Sequence, residues 1–431
     1  MLSSGICNTH PDLSRQRVLH RLGIFCGLAA ALWLAGAEAP TKLVTVAVSP
    51  VVISFMMVFG AFVSRWSLPA LVRGTGDTFR DVQNVPHLVL WGVMAGCLWA
   101  VGNTLTIFAV REIGLSLAFP LWNSNSLIGI LWGTLLFKEL HGAGWLRKLG
   151  VIGGAVVIFT GAILISAAST SQSGQGSAAH GIAAALGAVL MFGSMYIPYR
   201  KAYITGMNPL TFLTFFTFGE MATMTVVAVL FSGGAGPFWH DLVANRSILF
   251  WPSLGGFMWV VGDLFQNYAA KYVGISRGIP LSNTNQLWGL LLGLLVFREL
   301  HGLSANIYAE VIGGSVLMAL GALAISTSSV SEREYASFLR ASEREIELYR
   351  IDPEYVKARS EGLDVNAGEV RRTGGDWLLI ATATLIFAGL GALAQPPHME
   401  MQTGWLAVFA AALLAVLVAG ALALWRVTRF T

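Results

Sequence analysis

The chain has 431 residues, of which 55% are hydrophobic and 12% charged, and its mean hydropathy is +0.66. A soluble fold of this length could not bury so many apolar side chains, so the composition indicates a polytopic membrane protein in a lipid bilayer. The net charge of +4 comes from basic residues between apolar runs, which favours a topology signal over a nucleic-acid partner. The three cysteines have no paired spacing, so we expect neither a disulfide framework nor a metal site.

The first apolar run covers residues 22–39 and follows three arginines. It resembles a secretory signal, because small residues at its end could form a cleavage site. Pro40 would obstruct cleavage, however, and the run has a counterpart at 181–199, where no signal peptide could lie. We therefore interpret 22–39 as the first membrane helix.

Further apolar runs of spanning length bring the predicted number of transmembrane helices to twelve. They lie at about 46–64, 87–110, 115–137, 148–167, 181–199, 209–232, 249–270, 276–297, 308–327, 377–395 and 404–425.

The distribution of Lys and Arg predicts the orientation of these helices. If the N-terminus is cytoplasmic and all twelve runs span the membrane, 23 of the 27 basic residues lie on the cytoplasmic side. This count includes Arg65, which falls in the predicted loop after the second helix. We expect an inner-membrane protein with both termini in the cytoplasm.

A duplicated segment organises the chain. The sequence FPLWNSNSLIGILWGTLLFKELHG at 119–142 returns 160 positions later as IPLSNTNQLWGLLLGLLVFRELHG at 279–302. The repeats, 22–168 and 181–328, contain five predicted helices each, and an odd number inserts the second repeat upside down. Inverted repeats are typical of secondary transporters, whose site lies near the midplane between the repeats.

Two motifs in the repeats resemble the drug/metabolite transporter superfamily, closest to its glucose/ribose porter branch. They are the P-x-x-N-x-N helix followed by F-[KR]-E-L, and the W-x-x-G-[ND] pattern of the third and eighth helices. The chain departs from the sugar-porter pattern at Asn103, where that pattern has Gln. The resemblance implies a ten-helix core with alternating access, and uptake of a polar small molecule driven by a proton or sodium gradient.

Polar and aromatic residues on the third and eighth helices form a candidate binding face. Trp259, Asp263 and Gln266 follow a spacing of four and three residues, which places them on one side of a helix, and Trp99 and Asn103 repeat the pattern. An aromatic ring beside hydrogen-bonding groups suits a sugar. The alternative is that the tryptophans lie at the membrane interface and the polar groups join helices.

The duplicated asparagine helix supplies the other predicted contacts. Asn123 lies three residues before Ser126, and Asn283 three before Gln286, so each pair shares a helix face. We expect the intervening asparagines, 125 and 285, and the G-x-x-x-G pairs at 129/133 and 289/293 to join helices. The predicted substrate-binding residues are Trp99, Asn103, Asn123, Ser126, Trp259, Gln266, Asn283 and Gln286.

Two acidic residues at membrane depth are the candidates for proton coupling. Asp263 and Glu220 each lie near the middle of a predicted helix, where a carboxylate costs about 2.5–3.5 kcal/mol to insert. We expect Asp263 to carry the coupling proton, with Glu220 as its competitor. Either could instead form a structural ion pair, for example with Lys271 or Arg200.

Charged pairs end the two duplicated helices, Lys138 with Glu139 and Arg298 with Glu299. Two interpretations remain open for these pairs, helix-end capping and gating.

Outside the repeats we predict a cytosolic N-terminus at 1–21, a cytosolic linker at 329–376 and an extra transmembrane hairpin at 377–427. The linker opens with a capping box from Ser331 to Glu334 and continues with a charged helical pattern. It is either a plain connection or a regulatory, partner-docking segment. The hairpin has almost no polar groups at membrane depth, so it should pack outside the ten-helix core, where it could support a homo-oligomer.

The sequence therefore predicts an all-α transporter that moves a small polar solute, with sugar uptake as the first choice. Export of metabolites, amino acids or drugs by the same fold is the alternative, and a membrane sensor acting through 331–376 is the alternative from another class. No cofactor and no enzymatic activity are expected; the coupling ion would be H⁺ or Na⁺.

Overall fold

The protein is described by a computed structural model over residues 13–43, 49–113, 121–122, 124–168, 178–298, 305–328, 331–363, 372–395 and 401–431. Within these ranges the regular structure is entirely helical. One internal position that the sequence assigns to the binding face, Asn123, lies outside the described residues, and so does Glu299.

The two predicted repeats have the same order of helices. Two long helices are followed by a short one, then a long helix, a short or broken helix, and a last long helix. The first repeat contains α1 (Leu13–Lys42), α2 (Pro50–Val72), α3 (Thr75–Asn84), α4 (His87–Ile113), α5 (Asn125–Leu136) and α6 (Trp145–Ala168). The second contains α7 (Ala178–Ile204), α8 (Pro209–Phe231), α9 (Ala235–Ala244), α10 (Phe250–Val273), α11 (Ile275–Ser282), α12 (Asn285–Leu291) with a π-helical turn (Leu292–Val296), and α13 (Ala305–Thr327). The chain ends with α14 (Glu332–Tyr349), α15 (Pro353–Ser360), α16 (Gly374–Leu393) and α17 (Thr403–Thr428).

Nine helices of the described structure are long and apolar enough to cross a membrane. They are α1, α2, α4, α6, α7, α8, α13, α16 and α17. The other three predicted spans correspond to the short helix α5, to α10, and to the broken pair α11 and α12. Of these, the described helix α5 has 12 residues and α11 and α12 have eight and seven, so each is shorter than the about 20 residues that a span requires.

Several predicted boundaries were wrong in informative ways. The first helix begins at Leu13 rather than at 22, and the second continues past 64 to Val72. Arg65 therefore lies inside α2 and not in a loop, so it does not belong in the charge count that set the orientation. The run at 276–297 is interrupted at Asn283 and Thr284, where α11 ends and α12 begins. The short helices α3, α9 and α15 were not predicted.

The repeats pack by exchanging partners. The first helix of each lies against the third helix of the other, α1 on α10 and α7 on α4, while α2 crosses α8 and α6 pairs with α13. Glycine permits the closest approaches: a Cβ on Gly96 would lie 1.9 Å from the carbonyl oxygen of Phe216, and one on Gly256 1.9 Å from that of Met57. The predicted glycine packing is wrong at Gly289, where nothing lies within 4 Å of an added Cβ.

Helices α3, α14 and α15 together cover one end of the bundle. We name this end the linker end. The predicted capping box is confirmed, because the Ser331 hydroxyl accepts the Glu334 backbone N–H and the Glu334 carboxylate accepts that of Ser331. The Glu334 carboxylate also pairs with Arg277 of α11 at 2.9 Å. The Ser342 hydroxyl donates to the carbonyl oxygen of Ile204, the last residue of α7. The linker thus binds back onto the bundle.

Asp81 of α3 is the second anchor of the linker end. Its fully buried carboxylate accepts hydrogen bonds from Tyr355 at 2.8 Å and from Arg359 at 2.9 Å, both on α15. It also accepts the backbone N–H of Asn208 and the hydroxyl of Thr211 at the start of α8. Burial, followed by the charge of Asp81, raises the pKa of the Tyr355 hydroxyl, so the phenol remains a neutral donor at physiological pH.

Candidate functional site

A charge triad lies buried between the two repeats. The Arg65 guanidinium of α2 contacts Glu220 of α8 through Nη1 and Asp263 of α10 through Nη2, each at an N···O distance of 2.6 Å. All three side chains are at most 1% exposed. The rings of Phe216 and Trp259 lie 4.4 and 4.9 Å from the guanidinium carbon, so aromatic faces cover the charge that the carboxylates leave open.

The carboxylate of Asp263 is fully bonded. Besides Arg65, it accepts the amide of Asn267 at 3.0 Å and the hydroxyl of Tyr199 at 3.3 Å on the oxygen Oδ1. Asn267 is itself held by a hydrogen bond from Tyr203. These donors come from α7 and α10, so the charge of Asp263 is fixed within a rigid network.

Glu220 is bonded on one side only. Its oxygen Oε2 contacts Arg65, whereas Oε1 is buried without a hydrogen-bond partner among the described residues. The neighbouring hydroxyl of Thr217 also lacks a partner. If both acids are ionised, one guanidinium faces two carboxylates and the triad carries an uncompensated negative charge. A buried charge of this kind is costly and can be relieved by a bound proton or cation.

The two predicted aromatic positions meet beside the triad. The rings of Trp99 and Trp259 are 4.8 Å apart between centroids, with an interplanar angle of 52°. Trp99 is 7% exposed, and Asn103 on the same helix is half-buried. The tryptophans therefore touch each other, and a solute could stack on either of them only after they separate.

The predicted amides lie mainly in helix contacts. Gln266 donates to the hydroxyl of Ser282 at 2.6 Å and joins α10 to α11. Asn283 donates to Asn125 at 3.1 Å and joins the two repeats, so Asn125 does connect helices as expected. Ser126 is 3% exposed.

Gln286 differs from these amides. It is 5% exposed, and neither its Nε2 nor its Oε1 has a hydrogen-bond partner among the described residues. A buried amide without partners costs free energy, about 1–3 kcal/mol, unless a ligand or water satisfies it. Its role in substrate binding stays a prediction.

Of the charged pairs at the helix ends, Lys138 and Glu139 turn in different directions. Lys138 and Arg298 are exposed and share a left-handed backbone, with φ of 54° and 55°. Glu139 turns inward instead, pairs with Arg200 of α7 at 2.7 Å and accepts the backbone N–H of Ser276 at 2.9 Å. It caps the start of α11, whereas the sequence suggested a cap on its own helix.

Gly274 makes this cap possible. Its φ of 82° is unfavourable for other residues, and an added Cβ would lie 2.8 Å from the Glu139 carboxylate.

Sequence reasoning missed Arg65, Tyr199, Tyr203 and Asn267. Arg65 could have been found, because it is the only charged residue of α2 and two buried carboxylates require a cation. The tyrosines could not, since only the packing of α7 against α10 turns them towards Asp263. The predicted pairings of the acids with Lys271 or Arg200 were wrong.

Nine apolar helices of spanning length among the described residues, packed around a buried charge triad, are typical of a multi-pass membrane protein. A family model described as "Sugar transport protein" matches residues 217–348. A relative from Listeria innocua named "Putative sugar uptake protein" is 25% identical over 239 residues, 54% of this chain and 77% of its own. A relative of the same description from Streptococcus pyogenes is 22% identical over 56% of this chain and 78% of its own. The chain is thus a multi-pass membrane protein similar to sugar transport proteins.

Proposed function

We propose that this protein is a secondary active transporter that takes up a sugar by alternating access of a ten-helix core. The core consists of the repeats 22–168 and 181–328 in opposite orientations, as in the drug/metabolite transporter superfamily and its glucose/ribose porter branch. The hairpin 377–427 completes twelve spans in the inner membrane, and both termini lie in the cytoplasm.

The observation that carries the proposal is the triad of Arg65, Glu220 and Asp263. Charged side chains at membrane depth are rare and face solute or ion pathways. This triad draws one residue from the first repeat and two from the second, and it adjoins the paired tryptophans. A site at such a junction changes its surroundings whenever the two repeats rearrange.

The sugar assignment is supported by chemistry as well as by similarity. Trp99 and Trp259 offer apolar faces on which the CH groups of a sugar ring stack, and Asn103 and Gln286 offer hydrogen bonds to its hydroxyls. The named relatives are described as sugar uptake proteins. In this structure the tryptophans contact each other, so sugar binding would require their separation.

We assign the coupling proton to Glu220 rather than to Asp263. Among the described residues, Oε1 of Glu220 accepts no hydrogen bond, whereas both carboxylate oxygens of Asp263 accept one or more, from Arg65, Asn267 and Tyr199. Protonation of Glu220 would neutralise the excess charge of the triad and weaken its contact with Arg65. That change links proton binding to the packing of α2 against α8.

Inversion of the repeats is supported by the positions of the two short helices. Asp81 of α3 bonds to Asn208 at the start of α8, whereas α9 follows the end of α8. Helix α8 has 23 residues and is about 35 Å long, enough to cross a bilayer core. Equivalent helices thus lie at opposite ends of one span.

Single cysteines at Arg80 and His240, which are 160 positions apart, test this inversion. In a variant without the native cysteines, a membrane-impermeant maleimide applied to intact cells should label His240→Cys and spare Arg80→Cys. Labelling of both from the same side would refute the inverted arrangement.

Transport itself is tested with purified protein in proteoliposomes. We expect an inward proton gradient to accumulate at least one sugar from a panel of radiolabelled hexoses and pentoses, with collapse of the gradient by a protonophore as the control. Gradient-independent exchange of amino acids or nucleosides, without accumulation of any sugar, would contradict the proposal.

A further inference from the structure

A cavity lies at the linker end, and none of the triad residues lines it. It has a volume of about 860 Å³ and is enclosed by the start of α1, the segment after α5, the junction of α10 and α11, and α14. A cavity of this size accommodates a small organic molecule. The Glu139–Arg200 pair forms part of its wall.

The charge of this cavity is strongly one-sided. Among the described residues, eight Arg or Lys side chains line it against two glutamates, Glu139 and Glu334. Both glutamates are already paired, with Arg200 and Arg277. Six cationic side chains then have no carboxylate within salt-bridge distance among the described residues, namely Arg17, Arg21, Lys138, Arg147, Lys271 and Arg333. Like charges in one cavity repel each other, so the arrangement favours a bound anion.

Lys271 is the most telling of these residues. It lines the cavity from the last turn of α10, is 8% exposed, and its Nζ has no hydrogen-bond partner among the described residues. An ammonium group that is buried and unbonded is costly, and an anionic oxygen in the cavity would satisfy it.

The start of α1 also lines the cavity. Arg17 and Arg21 are four residues apart with His20 between them, so the three side chains share one face of the helix. Both arginines are exposed at the cavity mouth. The guanidinium groups match the geometry of phosphate oxygens.

The cavity is not lined by charge alone. Tyr335 and Phe338 of α14 and Tyr272 of α10 contribute aromatic surface. Inorganic phosphate would fill only a small part of 860 Å³ and would make no use of this aromatic surface. The ligand should therefore combine a phosphate group with an organic part.

We propose that the cavity at the linker end binds a phosphate ester, with the phosphate between Lys271 and the arginines of α1 and the organic part against the aromatic side chains of α14. The bound ester would connect α1, α10 and α14 and hold the linker end closed. The site is separate from the triad and does not depend on the transport of sugar. The ester can come from a soluble metabolite or from a lipid headgroup, which share this chemistry.

Isothermal titration of the full-length protein with glucose 6-phosphate tests the proposal, with glucose and sodium sulfate at matched ionic strength as controls. We expect binding of the phosphate ester that the controls do not reproduce. The substitution Lys271→Met should weaken it about tenfold or more, since hydrogen bonds to charged groups contribute this much. The matched variant Lys357→Met removes an exposed lysine of α15 and should leave the affinity unchanged.

The paired substitution Arg21→Gln and Arg147→Gln covers the case in which Lys271→Met fails to fold, because both arginines are exposed. It should also weaken binding. Repeating the titration in nanodiscs distinguishes a soluble metabolite from a lipid headgroup as the source of the ester. If glucose 6-phosphate no longer binds in phosphatidylglycerol nanodiscs but still binds in phosphatidylcholine nanodiscs, the anionic lipid headgroup occupies the site. That result supports the same phosphate-ester chemistry. Binding no stronger than that of sulfate in every lipid, or binding unaffected by the cavity variants, would overturn the proposal.

Discussion

Removal of Arg65 is the most demanding test of the buried triad. In Arg65→Met the side chain keeps much of its length, but Glu220 and Asp263 lose the one cation that contacts both of them at 2.6 Å. Breaking a buried ion pair by removing one partner costs about 3–5 kcal/mol. Each of the two charge-assisted hydrogen bonds contributes about 1.5–3 kcal/mol, which leads to a similar loss. We therefore expect Arg65→Met to lose about 3–5 kcal/mol of unfolding free energy near neutral pH.

The assay is unfolding of the purified protein by titration with a denaturing detergent, followed by tryptophan fluorescence. The control is Arg80→Gln, because Arg80 is 37% exposed and its 3.4 Å contact with Asp77 should be worth less than about 1 kcal/mol. A second variant separates charge from packing: Arg65→Met combined with Glu220→Gln and Asp263→Asn has no uncompensated charge and should regain most of the lost stability. An Arg65→Met protein as stable as the Arg80→Gln control would refute the triad.

Three further substitutions test the surroundings of the site. Gly274→Ala should destabilise the protein by about 1–3 kcal/mol, because φ is positive at this position and the added Cβ would meet the Glu139 carboxylate. The control Gly289→Ala, with open space around it, should not be destabilised in the same unfolding assay. Equal stabilities of the two variants would contradict the Glu139 cap. Trp259→Ala should weaken sugar affinity about three- to tenfold in equilibrium binding, and the exposed Trp145→Ala should not; equal affinities would leave Trp259 as a packing residue. Asp81→Asn leaves Arg359 buried without its carboxylate, so hydrogen exchange of α15 should accelerate, while exchange unchanged from the wild type would mean that Asp81 does not anchor the linker.

Periodicity and hydropathy were enough to place most long helices, because a bilayer requires about twenty apolar residues in succession. Both signals were least accurate where polar or charged residues interrupt an apolar run. Arg65 was assigned to a loop since the apolar run stops at Ser64, yet the helix continues because Glu220 and Asp263 satisfy the arginine in three dimensions. The break at Asn283 follows from polar residues and Pro280 that hydropathy averages over.

The candidate site was predictable as a face but not as a network. The 160-residue duplication located Trp99 with Trp259 and Asn103 with Asp263, and the structure brings the tryptophans into contact. The direction of Glu139 could not be inferred, because its partners Arg200 and Ser276 come from the other repeat. Contacts between repeats depend on tertiary packing, which no spacing within one helix encodes.

The proposed coupling through Glu220 is tested most directly by comparing two transport modes in proteoliposomes. In Glu220→Gln the open oxygen can no longer take up a proton, so proton-driven accumulation of sugar should be lost while exchange of labelled for unlabelled sugar continues. The same measurement on Asp263→Asn shows whether the fully bonded acid has a different role. Accumulation at the wild-type level in Glu220→Gln would contradict the account.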